Sequence, residues 1–174
     1  KKVEIIPVEF VVRNIAAGSI VKRLGLKEGE VFSNPLIEYY LKRDDLGDPL
    51  VNEDHIVNFN WGTREELEEM QEYGLRINDF LRGLFLGIGL KLVDFKIEFG
   101  RYFSEEDGTE LLLADEISPD NCRLWDIKTN NKFDKDLFRQ DIGGLKEAYQ
   151  EVAERLKILP EKKLYSNTKT EIVQ

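Results

Sequence analysis

A long stretch of regularly spaced apolar residues, from Thr63 to about Gly89, constrains the fold more than any other part of the sequence. Its apolar side chains recur at intervals of three and four residues, which places them on one face of an α-helix. Thr63 and Glu66 match the capping box that begins many helices, and Gly89 suits the end of one. The stripe consists of Leu67, Met70, Gly74, Ile77, Leu81, Leu84 and Ile88. We therefore predict a long amphipathic helix that packs this stripe against the core.

Strand patterns precede this helix. Residues 3–14 are rich in β-branched and aromatic residues, and Pro7 indicates a sheet edge or a break. A short helical pattern covers residues 20–26. Residues 34–60 are typical of strands and loops, with a turn near residues 44–49.

A β-hairpin is predicted after the long helix. Residues 91–101 alternate between apolar and polar, and residues 109–116 form the return strand. Residues 117–140 show no regular pattern. A last amphipathic helix is expected over about residues 142–158, and Pro160 would stop it.

The acidic balance and the scarcity of thiol and imidazole exclude several classes of function. The chain has 34 acidic and 25 basic residues, whereas duplex nucleic acid and anionic lipid need a net basic face. We therefore expect no nucleic-acid partner, while a local basic pocket for a small anion stays open. Cys122 and His55 are the only cysteine and histidine, which excludes a disulfide scaffold and a Cys/His zinc site. No apolar run approaches the ~20 residues of a membrane helix, so we expect no membrane partner. The lone thiol and the 34% of charged residues are typical of a cytoplasmic protein.

Apolar and polar side chains alternate along the first strand of the hairpin, so they fall on opposite faces. The expected core-facing set is Val93, Phe95, Ile97 and Phe99. Asp94, Lys96 and Glu98 form a polar row on the other face, and Asp115 of the return strand is expected across from it. A solvated sheet face is the simpler interpretation. The alternative is a site for Mg²⁺ and a polyphosphate, since Mg²⁺ takes hard oxygen ligands and a lysine offsets phosphate charge.

A second candidate site lies between the first strand and the short helix. Arg13 ends the strand, and the small residues 15–19 lead into the helix. Backbone N–H groups at the helix start, the Ser19 hydroxyl and the Arg13 guanidinium would together bind an anion of phosphate size. Glu9 and Arg13 share a strand face, so a structural ion pair between them is the alternative.

Charged residues also crowd the segment after the hairpin. They are Asp115, Glu116, Asp120, Arg123 and Asp126. Loops that a rigid sheet positions often carry function, and a solvated charged loop is the alternative.

Five motifs follow one another along the chain. They are VEIIPVEFVVRNIAAGS, GDPLVNE, LVDFKIEFGR, LADEISPDNCRLWD and KDLFRQDIGG. Together and in this order they resemble the phosphoribosylaminoimidazole-succinocarboxamide synthase (SAICAR synthetase) family. The resemblance runs from Lys1 to about Leu159, and the combination of five spaced motifs makes it specific.

The resemblance implies an α+β fold, similar to the larger lobe of an ATP-grasp-like, two-lobed ligase, with a mixed or antiparallel sheet backed by a long helix. It implies that L-aspartate is joined to the carboxylate of carboxyaminoimidazole ribonucleotide (CAIR) in purine biosynthesis. ATP would be cleaved to ADP and phosphate through an acyl phosphate, and Mg²⁺ would be the second cofactor. Phosphoryl transfer relies on positioning and charge neutralisation, which carboxylates, a lysine and arginines can supply. The resemblance also implies a homo-oligomer, with a dimer favoured.

The resemblance further implies roles for the hairpin residues. Lys96 and Asp94 would be catalytic, with Lys96 beside the transferring phosphate and Asp94 near the ribonucleotide. Glu98 and Asp115 resemble the carboxylates that hold the metal and the ATP phosphates.

Other positions would bind the two nucleotides. Lys1, Lys2 and Val3 resemble the hinge whose backbone meets the adenine. The residues implied to hold the ribonucleotide are Arg13, Ser19, Asp94, Arg123 and, as a weaker match, Arg139.

We divide the chain into an inter-lobe hinge with the first strand (1–14), an ATP- and ribonucleotide-binding lobe with a C-terminal helix (15–159) and a polar tail (160–174). The family's amino-terminal third, which carries a glycine- and lysine-containing loop over ATP, has no counterpart here. The sequence also begins without methionine, so we expect part of a longer protein. The alternative function is therefore a non-catalytic fragment that binds nucleotide or associates with itself.

Overall fold

The computed structural model describes residues 1–105, 108–134, 136–139 and 143–158, apart from the side chains of Phe138 and Arg139. The strands are β1 (Glu4–Ile5), β2 (Val8–Ile15), β3 (Val31–Leu41), β4 (Leu50–Val51), β5 (Leu90–Ser104), β6 (Gly108–Ala114) and β7 (Cys122–Asp126). The helices are α1 (Ser19–Leu24), α2 (Glu53–Asn58), α3 (Arg64–Gly87), α4 (Asp136–Arg139) and α5 (Leu145–Arg155).

Strand β5 organises the sheet, because four other strands pair with it. The order is β1-β5-β2-β3-β4, and β6 and β7 also pair with β5. Partners β2 and β7 overlap along its first half, and β1 and β6 along its second half, so both edges of β5 are occupied. Every strand pair among the described residues is antiparallel. The α+β class is confirmed, with the antiparallel form of the expected sheet.

Helix α3 forms as predicted and covers one face of the sheet. Thr63 and Glu66 make the reciprocal capping box that begins it. The apolar side chains of one face, including Leu67 and Met70, are buried with Phe10 and Phe99 in one continuous core. The rings of Phe10 and Phe99 meet edge to face with centroids 5.7 Å apart, a favourable aromatic geometry. Burial of this apolar surface is the main driving force that holds α3 on the sheet.

The buried stripe of α3 differs in part from the predicted one. Asn78 and Phe85 are buried, whereas Leu84 is 40% exposed and Ile77 is partly buried. The Asn78 side chain accepts a hydrogen bond of 2.8 Å from Nδ2 of Asn14 on β2. The carbonyl oxygen of this buried amide thus has a partner, whereas its Nδ2 has none among the described residues. An apolar pattern does not reveal such a residue.

Three further elements were not predicted. Strand β7 and helix α4 lie in the stretch expected to be irregular, and helix α2 lies where strands and loops were expected. Strand β7 is short and does not alternate regularly, since Leu124 and Trp125 are adjacent apolar residues. Its pairing with β5 and not its intrinsic propensity therefore defines it. Pro160 and the polar tail, 160–174, lie outside the described residues. No helix in the described part of the chain is long and apolar enough to cross a membrane.

A β-bulge in β5 interrupts the alternation that was predicted for this strand. The register with β7 shifts between Leu92 and Asp94, which inserts one extra residue, Val93. Val93 therefore joins a second buried cluster with Trp125, while Phe95, as expected, belongs to the main core. The prediction that Val93 faces the same core as Phe95 is wrong.

Asp134 joins β7 to α4 inside the protein. Its carboxylate accepts hydrogen bonds of 2.9 Å from the backbone N–H groups of Leu124 and Asp136, and the residue has no exposed surface. Burial raises the pKa of Asp134 to about 6, although the backbone hydrogen bond from Asp136 acts in the opposite direction.

Replacing Gly74 by alanine tests the contact between α3 and the sheet. A Cβ at this position would lie 2.2 Å from Cε1 of Phe10. We expect Gly74→Ala to lower the free energy of unfolding by about 1–3 kcal/mol through overpacking, although alanine favours helix. The matched control is Gly83→Ala on the same helix, where a Cβ would meet nothing within 4 Å. That change should raise stability by about 0.5–1 kcal/mol. Urea denaturation measures both, and equal gains would contradict the close approach of α3 to Phe10.

The buried carboxyl group of Asp134 predicts a pH effect on stability. The folded pKa of Asp134, about 6, exceeds the ordinary value of 3.8. Between these two pH values the native state therefore binds more protons than the unfolded chain. Stability from this group is therefore present below about pH 4 and is lost as the pH rises through 6. The loss should be about 3 kcal/mol, from the difference between a pKa of 3.8 and one of about 6. Urea denaturation at several pH values should show wild type losing stability relative to Asp134→Asn over this window. Parallel curves for the two proteins would contradict the raised pKa.

Candidate functional site

A polar cleft of about 270 Å³ opens over β2, β5 and β7 at the start of α1. Its lining consists of Glu9, Val11, Arg13, Ser19, Tyr40, Asp48, Asp94, Phe95, Lys96, Asn121 and Arg123. Five residues singled out in the sequence thus lie together: Arg13, Ser19, Asp94, Lys96 and Arg123. Glu9, Tyr40, Asp48 and Asn121 were not among the predicted site residues, although the alternation along β2 placed Glu9 on the face of Arg13.

Asp94 lies at the base of the cleft between two arginines. Its Oδ2 accepts hydrogen bonds from Nη1 of Arg13 at 2.7 Å and from Nη1 of Arg123 at 3.0 Å. Only 3% of Asp94 is exposed. Burial raises the pKa of this carboxyl group, while Arg123 and Arg13 act in the opposite direction. Three strands, β2, β5 and β7, each contribute one of these charges.

Arg123 is fixed by a second carboxylate and by α1. Its Nε donates to Oδ2 of Asp136 at 2.8 Å. On its other side lies Gly18, which precedes α1 and has a φ of 66°. A Cβ on Gly18 would lie 2.4 Å from Nη2 of Arg123. Glycine is therefore needed here both for the left-handed backbone and for the close approach. The start of α1, with the exposed Ser19, thereby lies next to Arg123.

Arg13 does not pair with Glu9, so the structural ion pair considered from the sequence is wrong. Its Nε donates to Glu38 at 2.7 Å and its Nη2 to the Tyr40 hydroxyl at 3.3 Å. Glu38 also binds Arg23 of α1. Antiparallel pairing aligns Val11 of β2 with Glu38 of β3, which brings Glu38 diagonally beside Arg13. Single-strand alternation cannot reveal this partner, because it depends on the register of two strands.

The polar row on β5 is not a solvated surface. Lys96 forms an ion pair with Glu9, and Glu98 forms one with Lys42. The side chain of Glu98 is 13% exposed and that of Lys96 is 32% exposed. Together with the buried Asp94, this row presents partly desolvated, alternating charges, where electrostatic interactions are stronger than in water.

Asp115 lies just beyond the strand residue that faces Glu98. Glu98 pairs in register with Ala114, the last residue of β6, and Asp115 follows it. Asp115 is exposed, and its φ of 78° is unusual for a residue other than glycine. Its Oδ1 accepts a hydrogen bond of 2.9 Å from the N–H of Glu116. The backbone therefore turns at Asp115, directly after β6 ends at Ala114.

The oxygen chemistry of Glu98 and Asp115 fits Mg²⁺, which takes carboxylates together with phosphate and water oxygens. Within the described ranges no group of three or more Asp, Glu, His or Cys side chains has metal-binding geometry. Two carboxylates are the expected protein contribution when a nucleotide supplies the other oxygens.

The first residues of the chain lie along the same face as the polar row. Alternation along β5 continues the row through Gly100 and Tyr102. Val3 lies over Gly100, and Nζ of Lys1 lies 4.3 Å from the ring centroid of Tyr102. Lys2 is exposed.

The remaining predicted residue, Arg139, belongs to α4. Its side chain lies outside the described residues, so its place in the substrate pocket stays a prediction. The same helix carries Asp136, which binds Arg123 at the cleft.

Comparison with known proteins gives a consistent result. The family model described as SAICAR synthetase matches residues 1–156. Phosphoribosylaminoimidazole-succinocarboxamide synthase of Rhodospirillum centenum is 60% identical over 161 residues, which is 92% of this chain and 63% of that protein.

Two solved structures share the fold. The crystal structure of phosphoribosylaminoimidazole-succinocarboxamide synthase from Ehrlichia chaffeensis has a TM-score of 0.87 and 51% identity, over 92% of this chain and 67% of that one. A type 2 SAICAR synthetase in complex with ADP has a TM-score of 0.85 and 43% identity, over 92% of this chain and 67% of that one.

The family match covers the cleft, the polar row and the strands that build them. The chain spans 63% of the length of the Rhodospirillum centenum relative. On the family model, the identity and the shared fold, this chain belongs to the SAICAR synthetase family.

Proposed function

We propose that the protein joins L-aspartate to the carboxylate of CAIR, with ATP cleaved to ADP and phosphate, as a step of purine biosynthesis. The observation that carries the proposal is the cleft, which collects Arg13, Ser19, Asp94, Lys96 and Arg123 in a chain of this family. The names of the relatives support the reaction, and one similar protein was solved with ADP.

The proposed chemistry proceeds in two steps. A carboxylate oxygen of CAIR attacks the γ-phosphorus of ATP, and the bond from that phosphorus to the oxygen of ADP breaks. The resulting acyl phosphate carries a good leaving group. The amine of L-aspartate then attacks the carbonyl carbon, phosphate leaves, and the nitrogen loses a proton to form the amide. The chain's own residues act by orienting the reactants and neutralising phosphate charge.

Lys96, Glu98 and Asp115 are proposed to handle the polyphosphate. Glu98 and Asp115 would hold Mg²⁺, which supplies Lewis-acid charge neutralisation when bound. Lys96 would lie beside the transferring phosphoryl group, and the partial burial of its side chain strengthens its interaction with that group. The backbone of residues 1–3 would meet the adenine.

Arg13, Ser19 and Arg123 are proposed to hold the phosphate of the ribonucleotide. They come from β2, the start of α1 and β7, and all three line the cleft. Asp94 would lie near the ribonucleotide, where it already fixes both arginines. Arg139 is proposed to reach the substrate pocket from α4.

A homodimer and a cytoplasmic location complete the proposal. The single cysteine, Cys122, is a buried thiol, as suits a reducing compartment. The chain spans 63% of the length of the Rhodospirillum centenum relative. Binding of ribonucleotide or nucleotide without turnover is therefore the second candidate function. Calorimetric titration with CAIR and with Mg-ATP, followed by an assay of ADP release, distinguishes the two. CAIR binding without aspartate-dependent ADP release would favour the second candidate. Absence of CAIR binding would contradict the assignment of the cleft arginines to the ribonucleotide in either candidate function.

Replacing Lys96 by methionine tests the phosphate role. The change keeps the length of the side chain and removes its charge, so we expect the rate of aspartate-dependent ADP release to fall at least about 100-fold. CAIR affinity should change little, because the arginines provide that contact. The matched control is Lys91→Met on the same strand, outside the cleft lining, which should keep its activity. Full turnover by Lys96→Met would contradict the assignment.

The metal role of Glu98 and Asp115 predicts a different pattern. Glu98→Gln and Asp115→Asn should each weaken binding of Mn²⁺ with ADP by about tenfold or more, because each change removes a charged oxygen ligand. Water-proton relaxation enhancement by Mn²⁺ measures the affinity. Glu116→Gln, a neighbouring exposed carboxylate, is the control. Equal effects of all three changes would point to general electrostatics instead of coordination.

A further inference from the structure

Glu38 on β3 is a buried carboxylate with three partners. It is 8% exposed. Its Oε2 accepts hydrogen bonds from Nε of Arg13 at 2.7 Å and from the Tyr40 hydroxyl at 2.8 Å, and its Oε1 binds Nη2 of Arg23. Burial opposes its ionisation, but the hydrogen bonds and charges of these partners leave the pKa of Glu38 below its ordinary value. Glu38 is therefore charged at neutral pH.

Glu38 and its partners Arg13, Tyr40 and Arg23, here called the Glu38 cluster, connect the two parts of the proposed phosphate pocket. Arg13 belongs to β2, and Arg23 belongs to α1, the helix that begins at Ser19. Residues 19 and 23 are four positions apart, so they lie on the same side of α1. Arg23 also donates to the Tyr40 hydroxyl at 2.9 Å. One carboxylate thus fixes α1, which carries the pocket's hydroxyl, relative to the strand that carries its arginine.

Glu38 also determines which N–H donor of the Arg13 guanidinium group is available to a ligand. It occupies Nε, while Nη1 binds Asp94 and Nη2 lies 3.3 Å from Tyr40. A planar guanidinium held at Nε and at Nη1 cannot rotate about its own axis. One N–H of Nη2 donates to Tyr40, and its second N–H is then held in one direction before a ligand arrives.

We infer that Glu38 is a positioning residue of the pocket for the ribonucleotide phosphate, an inference that rests on the proposed function. It acts through Arg13 and through the placement of Ser19 by Arg23, and it does not touch the ligand. Preorganisation of this kind raises affinity because less ordering is needed on binding.

The direction in which CAIR affinity changes when Glu38 is replaced distinguishes a positioning role from a purely electrostatic one. A carboxylate 2.7 Å from an anion-binding arginine weakens anion binding through its own negative charge. If Glu38 acted only as a counter-charge, Glu38→Gln would bind CAIR more tightly and Glu38→Asp would bind it unchanged. Positioning predicts weaker binding in both variants, because Gln places an amide against Arg23 or Tyr40 and Asp shortens the reach to Arg13.

Calorimetric titration with CAIR and, separately, with Mg-ATP tests this prediction on wild type, Glu38→Gln, Glu38→Asp and the control Glu68→Gln. We expect CAIR affinity to fall about tenfold or more in both Glu38 variants, as the loss of hydrogen bonds to a charged group implies. Mg-ATP affinity should stay within about twofold, since a factor of two is well below the effect of one hydrogen bond. Glu68 is exposed on α3, so its variant makes the same charge change away from the cleft and should match wild type.

Unchanged or tighter CAIR binding by Glu38→Gln would overturn the inference, and so would a parallel loss of CAIR and Mg-ATP binding by a variant that circular dichroism shows to be folded. If circular dichroism shows that the Glu38 variants do not fold, Arg23→Gln takes their place, since Arg23 is partly exposed at the edge of the cluster. It should weaken CAIR binding several-fold, and wild-type affinity would overturn the inference. Failure of wild type itself to bind CAIR would instead contradict the proposed function.

Discussion

The buried carboxylate of Asp94, held between Arg13 and Arg123, is the interaction on which the cleft depends. Removing a charge from water is costly unless partners replace the lost hydration. Here three strands converge so that each buried charge meets an opposite one: Arg13 at 2.7 Å and Arg123 at 3.0 Å from the same oxygen. A change in the register of β2 or β7 against β5 would leave one of these charges unpaired. The polar site therefore specifies the strand register as much as the sheet positions the site.

Two local backbone features make this arrangement possible. The bulge at Val93 shifts the alternation of β5, so that Leu92 belongs to the main core and Asp94 lines the cleft. Without the extra residue, Asp94 would fall on the same face as Leu92 and would be buried in apolar surroundings. Gly18 then allows α1 to approach Arg123 more closely than any side chain would permit. Bulges and glycines at such places are typical of functional sites.

The sequence allowed the periodic elements to be predicted, and it did not reveal those that depend on distant partners. The capped helix α3 and the row of Asp94, Lys96 and Glu98 follow from local alternation, which needs no knowledge of the rest of the chain. Strand β7 and the partner Glu38 arise only when strands pair, because their residues have no apolar periodicity of their own. Asn78 was missed for the same reason, since its burial depends on the amide of Asn14 across the core. Family resemblance supplied the roles of single residues, which periodicity cannot provide.

The charges of the cleft also constrain how a polyphosphate would enter. Lys96 is paired with Glu9, and Lys42 is paired with Glu98. Under the proposed function, a phosphate that binds Lys96 must compete with Glu9, and coordination by Glu98 must compete with Lys42. Binding is then an exchange of partners among charges that are already partly desolvated, so little additional desolvation is required. An exchange of this kind favours a ligand that brings both a cation and an anion over a ligand that brings only one. A magnesium-bound polyphosphate meets that requirement, because its two charges replace both protein ion pairs at once.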